Sequence, residues 1–156
     1  MRVTLIAVVA LLTIGVSAVA GGETGPPKIE YLTSDLTTKL NLPFSEAVRV
    51  GNILYLSGMI AVTPGTMQVV PGGIEAETRQ ALENIRAVLE RNGSSLDQVF
   101  KCTLMLADMS EWSRMNAVYV TFFGEHLPAR SAMGVAGLAL GARVEIECTA
   151  IVGAGE

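Results

Sequence analysis

Arg143-Val144-Glu145-Ile146-Glu147-Cys148-Thr149-Ala150-Ile151-Val152 alternates in character residue by residue. Strand side chains point alternately to opposite faces. Val144, Ile146 and Cys148 therefore share one face, and Arg143, Glu145, Glu147, Thr149 and Ile151 share the other. The first face suits a core. The second sets two carboxylates in a hydrophobic strand, which is costly unless they are paired, solvated in a cleft or put to use. Upstream stands Pro128-Ala129-Arg130-Ser131, read as an arginine-bearing loop.

Working outward, residues 131–138 form the preceding strand, set off by Gly141. Residues 99–106 are rich in β-formers and predict another. Between these two lies a helix beginning at Asp108, with Glu111 completing a capping box and an end near Gly124. Trp112, Met115, Val118, Tyr119 and Phe122 are its buried stripe. A longer helix spans residues 74–91, where Ile74, Thr78, Ala81, Leu82, Ile85, Val88 and Leu89 recur at helical period. Glu75 and Glu77 in its first turn favour the helix dipole, and Asn92-Gly93 stops it. Toward the N-terminus, residues 44–50 and 53–59 are strand-like runs joined by Gly51-Asn52, a two-residue hairpin connection. Residues 28–32 predict a short first strand, and the polar residues 33–43 a loop.

The order β-β-β-α-β-α-β-β predicts an α+β fold, a mixed α/β sandwich with two helices packed on one face of a mixed β-sheet. The other face would carry Val99, Lys101, Thr103 and Met105 beside Arg143, Glu145, Glu147, Thr149 and Ile151. That mixture is too apolar for bare solvent and too charged for a core. It fits packing against other copies of the chain, with polar clefts between them.

The length of 156 residues predicts one domain, and 50% hydrophobic residues are ample for its core. Residues 1–20 contribute to that excess. They combine a basic start, a short apolar run and Ala18-Val19-Ala20, the pattern of a cleaved export signal peptide. This predicts a periplasmic or secreted protein with no membrane association after cleavage; an uncleaved anchor is the other reading of the segment. Removing it takes away Arg2 and no acid, so 11 basic residues become 10 against 15 acidic ones, a net charge of −5. The basic residues are scattered, which argues against nucleic-acid binding. One histidine, His126, and two distant cysteines, Cys102 and Cys148, match no metal-site spacing. His126 reads as an inert loop residue. The cysteines read as free buried thiols by default, with a bridge permitted in an oxidising compartment if their strands are adjacent.

Four blocks occur in order: Leu56-Ser57-Gly58, Asn116-Ala117-Val118-Tyr119 with Phe122-Phe123, Pro128-Ala129-Arg130-Ser131, and Val144-Glu145-Ile146-Glu147. Through them the chain resembles the RidA/YjgF family of imine and enamine deaminases. The resemblance implies a chorismate-mutase-like fold, a homotrimer with sites at the subunit interfaces, and a RidA-like domain over residues 44–153. Residues 21–43 would then be a leader, short strand and loop. It also implies that Arg130 binds a substrate carboxylate and Glu145 orients the attacking water. Asn116, Ser57, Gly58, Ala132 and Phe44 are carried over as substrate-binding positions.

The physics of these residues agrees. A planar guanidinium holds a carboxylate through two parallel hydrogen bonds. A 2-imino acid held so exposes its C=N carbon to a water that Glu145 can deprotonate. The products would be a 2-oxo acid and ammonia, with no metal or organic cofactor needed, because an imine is already a good electrophile. The structural alternative is an Arg130–Glu145 salt bridge across an interface. The chain departs from the family pattern at Ala132, where cysteine is usual, at Phe44, where tyrosine is frequent, at Met59 in place of glutamine, and in a shorter loop between Phe123 and Pro128. These changes bear on the substrate more than on the reaction class. A small-carboxylate-binding module without turnover and a chaperone-like role are the competing functions. The pairing of Arg130 with Glu145 favours an enzyme, since a pure binder needs no water-activating acid.

Overall fold

The computed structural model describes residues 25–153. The predicted signal segment and the first residues of the leader lie outside the described residues. Strand β7 (Val144–Ile151) is the hub of a mixed sheet. On one side it pairs antiparallel with β5 (Val99–Leu106), which pairs in parallel with the edge strand β6 (Ala129–Gly134). On the other side it pairs with β3 (Ile53–Leu56) and then β4 (Met59–Ile60). Beyond β3 lie β2 (Ala47–Val50) and β1 (Ile29–Leu32), both antiparallel. Gly51 turns the β2–β3 hairpin at φ 60°, a conformation glycine adopts without a Cβ clash.

Helices α2 (Gly73–Arg91) and α3 (Trp112–Tyr119) cover one face. All seven residues of the predicted α2 stripe are buried, against Val144, Ile146, Cys148 and Ala150 of β7. Each fully buried Leu or Ile contributes about 1.5–3 kcal/mol. Thr78 fits in this stripe because its hydroxyl donates to the Ile74 carbonyl at 2.6 Å. This is the expected α+β arrangement.

Several local expectations are corrected. Residues 33–43 contain a helix, α1 (Asp35–Lys39). The Thr37 amide donates to Ser34 Oγ at 3.3 Å and the Ser34 amide to Thr37 Oγ1 at 2.8 Å. This capping box uses threonine where Glu or Gln is usual, which hid it in a polar segment. The run 44–50 is strand only from Ala47, and 53–59 is broken at Ser57-Gly58. Asp108 does cap, accepting from the Ser110 amide at 2.8 Å, but it caps a 3-10 turn, Met109–Glu111, ahead of α3. Glu111 does not complete a box; its carboxylate accepts from Arg143 Nη1 at 2.9 Å. The Arg143 amide donates to the buried Glu77 carboxylate at 2.7 Å, so Arg143 ties β7 to the helices rather than lying on the open face. Helix α3 ends at Tyr119 rather than near Gly124. Strand β6 starts at Ala129 and stops at Gly134, so Arg130 is a strand residue, not a loop residue.

The strand periodicity also slips once. A register shift between Val99 and Lys101 puts Val99 in the core and leaves Phe100 outside, because a bulge inserts one residue and reverses the alternation. Lys101, Thr103 and Met105 keep the predicted open face.

Cys102 and Cys148 sit directly opposite each other on β5 and β7, with Cα atoms 4.2 Å apart, and form a disulfide. The default of free thiols is therefore wrong. Adjacency of the two strands is a property of the topology and cannot be read from residues separated by 46 positions.

Candidate active site

The sequence-predicted residues fall into two groups. The first surrounds Glu145. Between the pairs Tyr55↔Thr149 and Met59↔Ile146, three residues on the β3–β4 side oppose two on β7. This bulge brings Gly58 against the Glu145 side chain. A Cβ on Gly58 would lie 1.9 Å from Glu145 Oε1, so only glycine leaves room for the carboxylate. Ser57 fixes the bulge: its hydroxyl donates to the Ser45 carbonyl at 2.6 Å and its amide to the Glu46 carbonyl at 3.0 Å. The same contact brings the segment of Phe44, itself exposed, beside the bulge. Glu145 is half-buried, and its side chain forms no hydrogen bond or ion pair among the described residues. Burial, and secondarily the charge of Glu147, hold its pKa above the ordinary glutamate value.

The second group surrounds Arg130. Arg130 is in register with Cys102, so its side chain leaves the sheet on the helix side. Helix α3 presents Trp112, Asn116 and Tyr119 along one face at three- and four-residue spacing. Arg130 Nη2 donates to Asn116 Oδ1. The guanidinium carbon lies 4.8 Å from the Tyr119 ring centre and 5.4 Å from that of Trp112. Such contacts add roughly 0.5–2 kcal/mol each, depending on desolvation. Ala132, two residues further along β6, shares this face and packs half-buried against the core. Arg130 Nη1 and the Tyr119 hydroxyl are both buried without a hydrogen-bond partner. Burial pushes the Tyr119 phenol up to about 12, against a smaller opposing effect of Arg130.

Within one chain the two groups do not meet. Arg130 projects on the helix side, whereas Glu145, in register with Met105, lies on the open face. No ion pair joins them within the chain. Two surface clefts at the β1–β2 end, lined by residues such as Glu30, Arg49, Arg91 and Asn92, touch neither group. His126 is exposed, as expected. No cluster of metal-ligating side chains occurs among the described residues. The helical period places Trp112 and Tyr119 in the core stripe alone. Their spacing around Asn116 was the available signal that they also flank the arginine.

Comparison with known proteins gives a consistent picture. Residues 37–152 match the family model described as endoribonuclease L-PSP. A RutC family protein of Pyrococcus horikoshii is 45% identical over 108 residues, 69% of this chain and 86% of the relative. The 2-iminobutanoate/2-iminopropanoate deaminase of Mus musculus is 43% identical over 111 residues, 71% of this chain and 82% of the relative. The crystal structure of the Rid-family protein YyfA from Yersinia pestis superposes with a TM-score of 0.74 at 36% identity, covering 80% of this chain and 100% of that one.

Proposed function

The chain belongs to the endoribonuclease L-PSP family, also called RidA/YjgF, and from that premise we propose that it hydrolyses reactive 2-imino and enamino acids to 2-oxo acids and ammonia. Relatives named as imine deaminases at 40–43% identity support imine deamination in general.

One observation carries it. Arg130 is held by Asn116 and two aromatic rings, yet keeps a buried Nη1 with no partner. An unpaired buried donor on a cation costs more than an ordinary lost hydrogen bond, and a substrate carboxylate would remove that cost. With the carboxylate held, water adds to the C=N carbon while Glu145 accepts its proton. Starting from the protonated imine, the carbinolamine nitrogen takes that proton back, and as the C–N bond breaks and ammonia leaves, the hydroxyl proton passes to Glu145 and the carbonyl forms. A glutamate whose pKa is raised accepts a proton more readily than an ordinary one. Because Arg130 and Glu145 lie on opposite faces of one sheet, a complete site requires Arg130 of one copy to approach Glu145 of another. A homotrimer that covers the open face is the assembly we assign. The apolar end of that face, with Tyr31 and Tyr55 exposed beside Val48 and Ile53, supports such packing. We assign residues 1–20 to export and the mature chain to the periplasm or exterior, which intact-mass analysis of the exported protein would test.

The deciding experiment measures ammonia release from imines generated in situ by an amino-acid oxidase. Wild type should release ammonia above background, and Arg130→Ala should lose both ligand affinity and turnover. A wild type that binds 2-oxo acids through Arg130 but releases no extra ammonia would instead identify a binding module.

A further inference from the structure

Among the described residues two buried side-chain polar atoms have no hydrogen-bond partner, Arg130 Nη1 and the Tyr119 hydroxyl. They belong to side chains in contact, since the guanidinium carbon stands 4.8 Å from the Tyr119 ring centre. Buried polar groups are nearly always satisfied, and each orphan needs an explanation. A phenol serving only to fill the core would be better replaced by phenylalanine, which packs alike and strands no hydroxyl. Two orphans side by side point to a shared missing acceptor.

We propose that Tyr119 is a ligand-binding residue: its hydroxyl and Arg130 Nη1 together take the carboxylate of the substrate. This deepens the reading of Arg130 as carboxylate anchor and rests on it. The rest of the pocket fits the division of labour. Asn116 occupies Nη2 and the Trp112 and Tyr119 rings flank the guanidinium, so Arg130 has Nη1 left for a ligand. A carboxylate offers about four lone-pair sites, more than Nη1 alone satisfies. The Tyr119 hydroxyl, on the ring packed against that guanidinium, supplies a further donor, and as a neutral phenol it donates to an anion without adding charge. The pair selects a carboxylate over an uncharged carboxamide, which has one acceptor oxygen in place of two and would set its NH₂ group against a donor.

The test uses the full mature protein and 2-oxobutanoate as a non-reacting ligand. Trp112 is the only tryptophan of the chain and lies 5.4 Å from the Arg130 guanidinium, so its fluorescence reports binding without turnover. Tyr119→Phe keeps the ring against Arg130 and removes one oxygen. It should weaken 2-oxobutanoate binding by roughly tenfold or more, the range for a hydrogen bond to a charged group. KM for imino acids should rise in parallel, with kcat changed less. Binding of 2-oxobutanamide, weak from the start, should be unaltered. Thermal stability should be unchanged or higher, as expected on deleting an unsatisfied hydroxyl. Equal 2-oxobutanoate affinity in Tyr119→Phe and wild type would overturn the proposal while leaving Arg130 as anchor. Failure of the wild type to bind 2-oxobutanoate at all would overturn the anchor reading, and the proposal with it.

Discussion

Gly58→Ala isolates the contribution of a single close approach. Gly58 has no positive φ, so alanine is compatible with its backbone. The new Cβ meets Glu145 Oε1 at 1.9 Å, Cδ at 2.8 Å and Cγ at 3.0 Å, whereas ordinary contact begins at 3.4 Å. The carboxylate oxygen must retreat by 3.4 − 1.9 = 1.5 Å. It can do so by rotating away, since it is the end of a flexible side chain. An off-rotamer adjustment costs roughly 0.5–1.5 kcal/mol. Replacing glycine recovers about 0.4–1 kcal/mol by restricting the unfolded chain. Stability should therefore stay within about 1 kcal/mol of wild type. Catalysis is far more sensitive, because misplacing a reacting group by about 1 Å can cost on the order of 100-fold. The expected result is a kcat for imine hydrolysis about 100-fold lower at nearly unchanged Tm, in a protein of unchanged assembly mass. In a Glu145→Ala background there is no carboxylate to displace, so Gly58→Ala should add no further loss. Full activity in Gly58→Ala, or an equal additional loss in the Glu145→Ala background, would refute the claim that Gly58 acts by making room for Glu145.

Glu145→Gln should lower kcat about 100-fold while 2-oxo acid affinity stays near wild type. The folded pKa of Glu145 is raised, so its contribution to stability is fully present below the ordinary glutamate value and is lost as pH rises through the folded pKa. Glu145→Gln escapes that loss, so its Tm should match or exceed that of wild type at pH 7, with the gap closing in acid; a variant less stable than wild type at pH 7 would contradict the assignment. The Cys102–Cys148 bridge closes a loop with sequence separation 46, for which chain entropy gives about 4 kcal/mol, so Cys102→Ala/Cys148→Ala should melt roughly 10 °C below the oxidised protein by calorimetry. Sedimentation of the mature chain should give three times its own mass, and a stable monomer at micromolar concentration would leave the two halves of the proposed site with no means of meeting.

The outline of this fold is legible in the chain because hydrophobic period encodes it. The α2 stripe, the span of β5 and the alternation of β7 follow from local side-chain order, and each is found where the pattern puts it. The motifs around Ser57-Gly58, Asn116, Arg130 and Glu145 were likewise visible as residue types. Local pattern failed where a single residue changes the geometry. One extra residue at Phe100 turns Val99 to the core, against the alternation of the rest of β5, and a threonine in place of glutamate disguises the cap of α1.

Tertiary structure alone decided which of these residues are neighbours. The β5–β7 register brings Cys102 onto Cys148, and the bulge at Ser57-Gly58 sets Gly58 on the Glu145 carboxylate. The parallel pairing of β5 with β6 turns Arg130 to the helix side, away from Glu145. It seats the guanidinium against Trp112 and Tyr119, which periodicity assigned to the core. Periodicity is a property of consecutive residues, so the sequence determines which side chains share a face within an element. Which elements pair, in what direction and in what register depends on closing the whole sheet over one core, and the relation between the two candidate half-sites was fixed only there.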